Sequence, residues 1–246
     1  MLKEEEAPAA EQRILVIPGE ELGDNSYKPG TGTYLKGDRI FASLLGVKNV
    51  RSGYINVLPL SGRYMPRPGD SVIGIIKDVG PSSWIVNVNS PYPALMHVND
   101  VPWKVEFGKT SQYLRAGDTI LAKIGQVDET MRIQVTLKEP GLRRLDRGHI
   151  TRITPSKVPR VIGKSGSMVS LIKEYTGCKV FVGQNGIIWM DGDSEGIAYA
   201  SKCIDMIDRD AQMMGLTDRV RQFLIDKYGS EPRRREPEEL DEEEWE

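Results

Sequence analysis

The stretch "VPRVIGKSGSMVSLIKEYTGCKV", Val158 to Val180, decides how this chain is read, because two chemistries are written that way. A Gly-Lys-Ser triplet at a helix start can close a nucleotide-binding phosphate loop. A Gly-x-x-Gly tetrapeptide between two short helices can clamp the backbone of a single-stranded nucleic acid. The phosphate loop needs G-x-x-x-x-G-K-[ST] after a strand. Five positions before Gly163 stands Val158, with Pro159 next, so the glycine that lets the backbone fold around a phosphate is missing. No later apolar strand ends in an Asp placed to hold magnesium. The nucleotide reading fails on its own motif.

The surrounding periodicity favours the clamp. "HITRIT" reads as a strand, and Met168, Leu171, Ile172 and Tyr175 share one face of a helix that stops at Gly177. "CKVFVG" and "GIIWMDG" follow as strands joined by Gln184-Asn185-Gly186, which has hairpin-turn chemistry. Asp193 or Ser194 can then cap a long helix carrying Ile197, Ala200, Ile204, Ile207 and Ala211 at three- and four-residue steps. This order over 148–215 resembles the type I KH domain (βααββα). The resemblance implies that Gly163-Lys164-Ser165-Gly166 keeps side chains off the helix tips, so that backbone amides and the helix dipole face phosphate oxygens. Arg160 and Lys164 add charge, and Val158, Ile162, Met168 and the strand from Lys179 border a groove for the bases. A KH fold that serves only as packing scaffold is the competing reading. A further helix is expected over 216–229.

Upstream, a turn dipeptide launches a β-branched stretch three times: "KGDRIFASLLG" at Lys36, "PGDSVIGIIKD" at Pro68 and "AGDTILAKIGQVD" at Ala116. "SGYINVLPL", "SWIVNVN", "ALMHV" and "RIQVTLK" add strands between and after them, a spacing that suits small barrels. A β-rich unit is expected over 13–64 and a five-stranded barrel over 65–138, with "EPGLRRLDRGH" as a linker. The barrel segment resembles the S1-type OB fold in Gly74, Asp78-Val79-Gly80, the Trp84 region, Met96-His97-Val98 and the Asp128–Arg132 pair. That resemblance implies Trp84 as a base-stacking platform, His97 as an edge contact and Arg132 as a phosphate or base contact oriented by Asp128. Val79 stands where the family usually has an aromatic residue, so guidance by charge is expected, from Lys77, Lys104, Lys109 and Arg115. Burial of Trp84 and Trp103 is the competing reading, as is a structural, hydrogen-bonded role for His97.

The 246 residues, 39% hydrophobic and 28% charged, suit two or three small domains. The net charge of −2 hides a division. Residues 1–12 carry one Lys against four Glu, and 231–246 carry three Arg against nine acids; both ends are expected to be disordered, the latter as a charged tail over 230–246. Residues 140–180 hold nine Lys or Arg against two acids, a concentration that a phosphate-binding surface needs and that a merely solvated face can also show. No apolar run reaches membrane-spanning length, and the N-terminus lacks the apolar segment of a signal peptide. Cys178 and Cys203 stand far from any metal-ligand spacing, which suits a cytoplasmic location.

An N-terminal β-domain, one S1-type barrel and one KH domain together resemble the archaeal exosome RNA-binding cap subunits, over about 13–215. "KPGTGTY" and "PGDSVIG" sit where that family has them. The resemblance implies a non-catalytic subunit that binds single-stranded RNA. Three copies cap a hexameric ring of exoribonuclease subunits, docking through the N-terminal domain and guiding RNA into the pore for degradation from its three-prime end. No cofactor, metal or membrane is implied. The residues agree: His97 and His149 are the only histidines, and neither belongs to a nucleophile–base pattern. A transcription elongation or termination factor also combines S1-type and KH modules, usually with a second KH. A phosphorolytic nuclease would need a large catalytic region ahead of these modules and places KH before the barrel, the reverse of this order.

Overall fold

The computed structural model describes residues 14–60, 62–211, 213 and 215–230. The segments expected to be disordered, 1–12 and, apart from Ser230, the charged tail, lie outside the described residues. The chain divides into two compact units, one up to Gly62 and one from Arg63.

In the first unit, seven short strands form two sheets. They are β1 (Leu15–Val16), β2 (Glu21–Asp24), β3 (Lys28–Pro29), β4 (Thr33–Lys36), β5 (Arg39–Ala42), β6 (Gly46–Arg51) and β7 (Tyr54–Pro59). The sheet orders are β1-β6-β7-β3 and β2-β5-β4. Among the described residues, their shared core holds Val16, Leu22, Ile40, Ala42, Ile55 and Val57. A core this small is marginal on its own, and Ile14, Leu15, Ile17, Leu35 and Val50 remain exposed around it.

The second unit begins with a barrel of β8 (Ser71–Val79), β9 (Ser83–Asn87), β10 (Ala94–His97), the short helix α1 (Thr110–Tyr113), β11 (Thr119–Val127) and β12 (Ile133–Thr136). The strands run β12-β10-β9-β8-β11, and pairing of β11 with β12 closes the ring. β10 and β12 are parallel, the remaining neighbours antiparallel, as in an OB barrel. β5, β8 and β11 each start directly after a Gly-Asp pair whose glycine has positive φ, 61° at Gly37, 92° at Gly69 and 96° at Gly117. The Asp70 and Asp118 carboxylates accept the backbone N–H of Arg67 and Arg115 and so close two of these turns.

The expected linker is not one. Its middle forms β13 (Arg143–Leu145), which pairs antiparallel with β11. The chain continues through β14 (His149–Arg152), α2 (Val158–Ile162), α3 (Ser167–Thr176), β15 (Lys179–Val182), β16 (Ile187–Asp191), α4 (Ser194–Asp210) and α5 (Leu216–Tyr228). The sheet order is β14-β16-β15, all antiparallel. The helices cover one face of this sheet, with Met168, Leu171, Ile172 and Tyr175 of α3 buried as their spacing predicts. Asp193 caps α4 by accepting the Gly196 N–H at 3.2 Å.

The other sheet face meets the barrel. Ile187 and Trp189 point there and pack with Ile73, Leu121 and Leu145, while Ile188 and Met190 point to the helices. That two-sided burial explains why "IIWM" is a continuous apolar run. Asn185, in the β15–β16 turn, is fully buried in the same junction. β9 pairs with β8 only from Ile75 onward, so the start of β8 has a free edge on that side. The Asn185 side chain fills it: Nδ2 donates to the carbonyls of Ile73 at 2.8 Å and Val88 at 3.0 Å, and Oδ1 accepts from Ile73 N–H at 3.4 Å. Gln184 N–H donates to Ser71 and Asn89 Nδ2 to the Asn185 carbonyl, so barrel and βααββα fold share one compact unit.

Candidate nucleic-acid interface

The Gly163–Gly166 loop joins α2 to α3. Gly163 ends α2 with φ 76°, its N–H bonded to the Pro159 carbonyl at 3.0 Å. Ser165 is left-handed at φ 51°, and Gly166 precedes α3 at φ 81°. The two glycines have different reasons to be glycine. A Cβ on Gly163 would sit 2.6 Å from the Met168 nitrogen and 2.8 Å from its Cβ, so this glycine lets α3 start against α2. A Cβ on Gly166 would meet nothing within 4 Å. Open space therefore lies on the Gly166 side, where no side chain caps the α3 N-terminus. The Ser167 N–H is taken by the Lys164 carbonyl of the turn Lys164–Gly166, and the first turn of α3 carries the positive end of the helix dipole. Lys164 and Ser165 are exposed and Arg160 is half-buried; neither Arg160 nor Lys164 makes an ion pair among the described residues.

Two of the four residues expected to border a groove beside this loop are not at the surface. Val158 and Met168 are buried in the helix-side core, which leaves Ile162 and the exposed Lys179 at the surface.

On the barrel, one expected residue must be corrected. Trp84 cannot stack on a base: it is 0% exposed, and its Nε1 donates to the Leu114 carbonyl at 3.2 Å. In β9 it alternates inward with Val86, opposite Met96 of β10. The outward set is Ser83, Ile85 and Asn87, facing His97 and Leu95 of β10. The sequence carried this signal, since Trp84, Val86 and Val88 form the apolar half of a period of two.

His97 is half-buried at the end of β10, and its Nδ1 accepts the Asn99 N–H at 3.2 Å, which leaves Nε2 for any outside contact. Arg132 lies at the other end of that strand, since it precedes Ile133, which stands beside Ala94; four residues, about 13 Å, separate the two positions. Asp128 forms no ion pair with the Arg132 guanidinium among the described residues. Its carboxylate accepts the Arg132 backbone N–H at 2.8 Å and the Thr130 hydroxyl at 2.8 Å, and these bonds hold its pKa below the ordinary value, with the Arg132 charge adding to the lowering. Lys104 is exposed, in the loop before α1. Among the described residues, no group of three or more His, Cys, Asp or Glu could hold a metal, and no helix is long and apolar enough to cross a membrane.

Comparison with known proteins agrees with this architecture. Residues 15–51 match the family described as the exosome complex exonuclease RRP4 N-terminal region, and 149–206 match the KH domain. The exosome complex component Rrp4 of Thermoplasma acidophilum is 46% identical over 216 residues, 87% of this chain and 91% of that protein. The Rrp4 component of Methanosarcina acetivorans is 44% identical over 210 residues, 85% of this chain and 81% of that one. The chain belongs to the Rrp4 family. A crystal structure described as an exosome complex RNA-binding protein aligns with a TM-score of 0.62 at 39% identity, over 67% of this chain and 97% of that one.

Two residues of this Rrp4-family chain escaped the sequence reading. Asn185 looked like ordinary turn chemistry, and nothing local to it reveals that the turn inserts against a barrel 112 residues away. Phe107 belongs to none of the motifs that the sequence displays. Its one local sign is the tetrapeptide Glu106-Phe107-Gly108-Lys109, an apolar ring among charges in a turn.

Proposed function

We propose that the chain is a non-catalytic RNA-binding component of the archaeal exosome, which caps the exoribonuclease ring and leads single-stranded RNA toward its pore. The observation that carries this reading is the open side of Gly166. A helix N-terminus without a side-chain cap lies there, with Lys164 and Arg160 beside it and no acidic partner among the described residues taking their charge. That surface suits a phosphodiester backbone approaching end-on to a helix. RNA is supported over a generic anion by the OB barrel fused to the same unit and by the names of the relatives. Docking through the first unit is supported by its six-residue core and by the exposed aliphatic residues around it, such as Ile17 at 59% exposure. A trimer of caps on a hexameric ring, in the cytoplasm, completes the reading.

The test is assembly. Mixed with archaeal ring subunits, the full chain is expected to raise the native mass of the ring by three copies and to increase its affinity for single-stranded RNA. A chain starting at residue 63 is expected to bind RNA in isolation but not to co-purify with the ring. Co-purification of the shortened chain at full occupancy refutes docking through the first unit, and an unchanged RNA affinity of the capped ring refutes the guiding role.

A further inference from the structure

We infer that Phe107 is a nucleobase-stacking platform on the barrel, the role that the buried Trp84 cannot fill; the inference rests on the RNA-binding reading above. Phe107 is 81% exposed, more than any other large apolar side chain among the described residues. The exposure is built in. Lys109 N–H donates to the Glu106 carbonyl at 3.0 Å, which closes a turn with Phe107 second and Gly108 third. Gly108 has φ 81°, as the third position of a type II turn requires. Gly108 N–H also donates to the Pro81 carbonyl at 2.9 Å, and the buried Thr110 donates its hydroxyl to the Gly80 carbonyl. The base of the loop is fixed again by Trp103 stacked on Tyr113, with centroids 6.0 Å apart, and by the Tyr113 hydroxyl on the Lys104 carbonyl at 2.9 Å. The turn is therefore held at several points, and what it presents is an aromatic ring without a polar atom of its own.

The chemistry around the ring selects the partner. Residues 104–115 carry Lys104, Lys109 and Arg115 against one carboxylate, Glu106, which Lys109 neutralises at 2.5 Å. Lys104 and Arg115 are exposed and make no ion pair among the described residues. Phe107 stands three residues after Lys104 and eight before Arg115, and an exposed apolar ring in a segment with such cations matches a base attached to a phosphate. The position matches as well, because the loop to which Gly108 is bonded joins β8 to β9, and loops there border the nucleic-acid face of OB barrels. Ser82 of that loop also accepts the Val98 N–H, and Ser83 pairs with His97, so Phe107 and His97 flank one hairpin.

The test measures full-length protein binding to a fluorescent single-stranded RNA, with a matched oligonucleotide abasic at every position. Phe107→Ala is expected to weaken binding to the base-bearing strand about tenfold, while Phe107→Trp binds as the parent does. On the abasic strand, parent and Phe107→Ala are expected to bind alike. The ring touches little of the core, so the melting temperature serves as a folding control. Equal binding of parent and Phe107→Ala to base-bearing RNA, while a Lys164→Asp, Ser165→Asp variant binds more weakly, overturns the stacking role and leaves the RNA-binding reading standing. Equal loss on both strands, or lost ring assembly with RNA affinity kept, overturns it too. A parent that binds neither strand overturns both.

Discussion

The side-chain amide of Asn185 replaces a missing strand neighbour of Ile73, donating to its carbonyl at 2.8 Å and accepting its N–H at 3.4 Å. Asn185→Ala would leave both groups, and the Val88 carbonyl, buried without partners at the junction. Each such group costs about 1–3 kcal/mol, so for the three a loss of at least about 3 kcal/mol is expected in denaturant unfolding. Asn185→Asp keeps the shape but removes both donors and buries a charge, and is expected to do no better. A variant as stable as the parent would show that the amide is dispensable to the junction.

The two loop glycines should respond differently to a methyl group. Gly163→Ala meets the Met168 backbone at 2.6 Å in addition to its unfavourable φ, and should cost about 2–4 kcal/mol and disturb the start of α3. Gly166→Ala meets nothing and should cost only the left-handed backbone penalty, about 1–2 kcal/mol. Thermal unfolding followed by RNA titration separates the cases. Gly166→Ala is expected to stay folded and bind RNA more weakly, because its methyl enters the open side.

What the sequence made legible was whatever local chemistry dictates. The three Gly-Asp turns, the α3 face and the Asp193 cap follow from residues a few positions apart. Three features depend on distant partners and were not legible in the same way. "LRRL" reads as a linker until β11 is present to pair with it, and Leu142 and Leu145 then join a cluster with Ile73 and Trp189. Asn185 satisfies an edge that exists only because β9 begins to pair at Ile75. Trp84 is the instructive case, since its inward parity was in the sequence, while its bulk and the S1-type resemblance pointed outward. The candidate site was half visible in the same sense: the glycine loop is a motif, whereas Phe107 gains meaning only from the hydrogen bonds that hold its turn.

Binding through the glycine loop should be electrostatic. Replacing Lys164 and Ser165 with Asp puts two negative charges at the α3 N-terminus, where both residues are already exposed, so unfolding should be nearly unchanged. RNA affinity at low salt is expected to fall at least about tenfold, since tenfold is worth only about 1.4 kcal/mol. For the parent, log affinity should fall linearly with log salt, and removing one cation that neutralises a phosphate should flatten the slope by about 0.7. A parent affinity indifferent to salt would rule out a surface that tracks the backbone.

The turn ahead of α2 is tied to the far end of α4 by Asp208. Lys157 Nζ lies 3.0 Å from its carboxylate and donates to its carbonyl at 2.6 Å, while Thr154 N–H donates to the same carboxylate at 3.4 Å. Partial burial pushes the Asp208 pKa up, but the bonds from Lys157 and Thr154 outweigh it and hold the group below 3.8. A carboxylate depressed in the folded state contributes stability that is fully present above the unfolded value and lost as pH falls through the folded one. Both groups are partly solvated, so the contribution should stay below about 1 kcal/mol. Asp208→Asn removes the titrating group. The gap in melting temperature between parent and Asp208→Asn is therefore expected to be constant from about pH 7 to 5 and to shrink below about pH 4. A gap that does not change on acidification would mean that the Asp208 charge contributes nothing to holding α2 against α4.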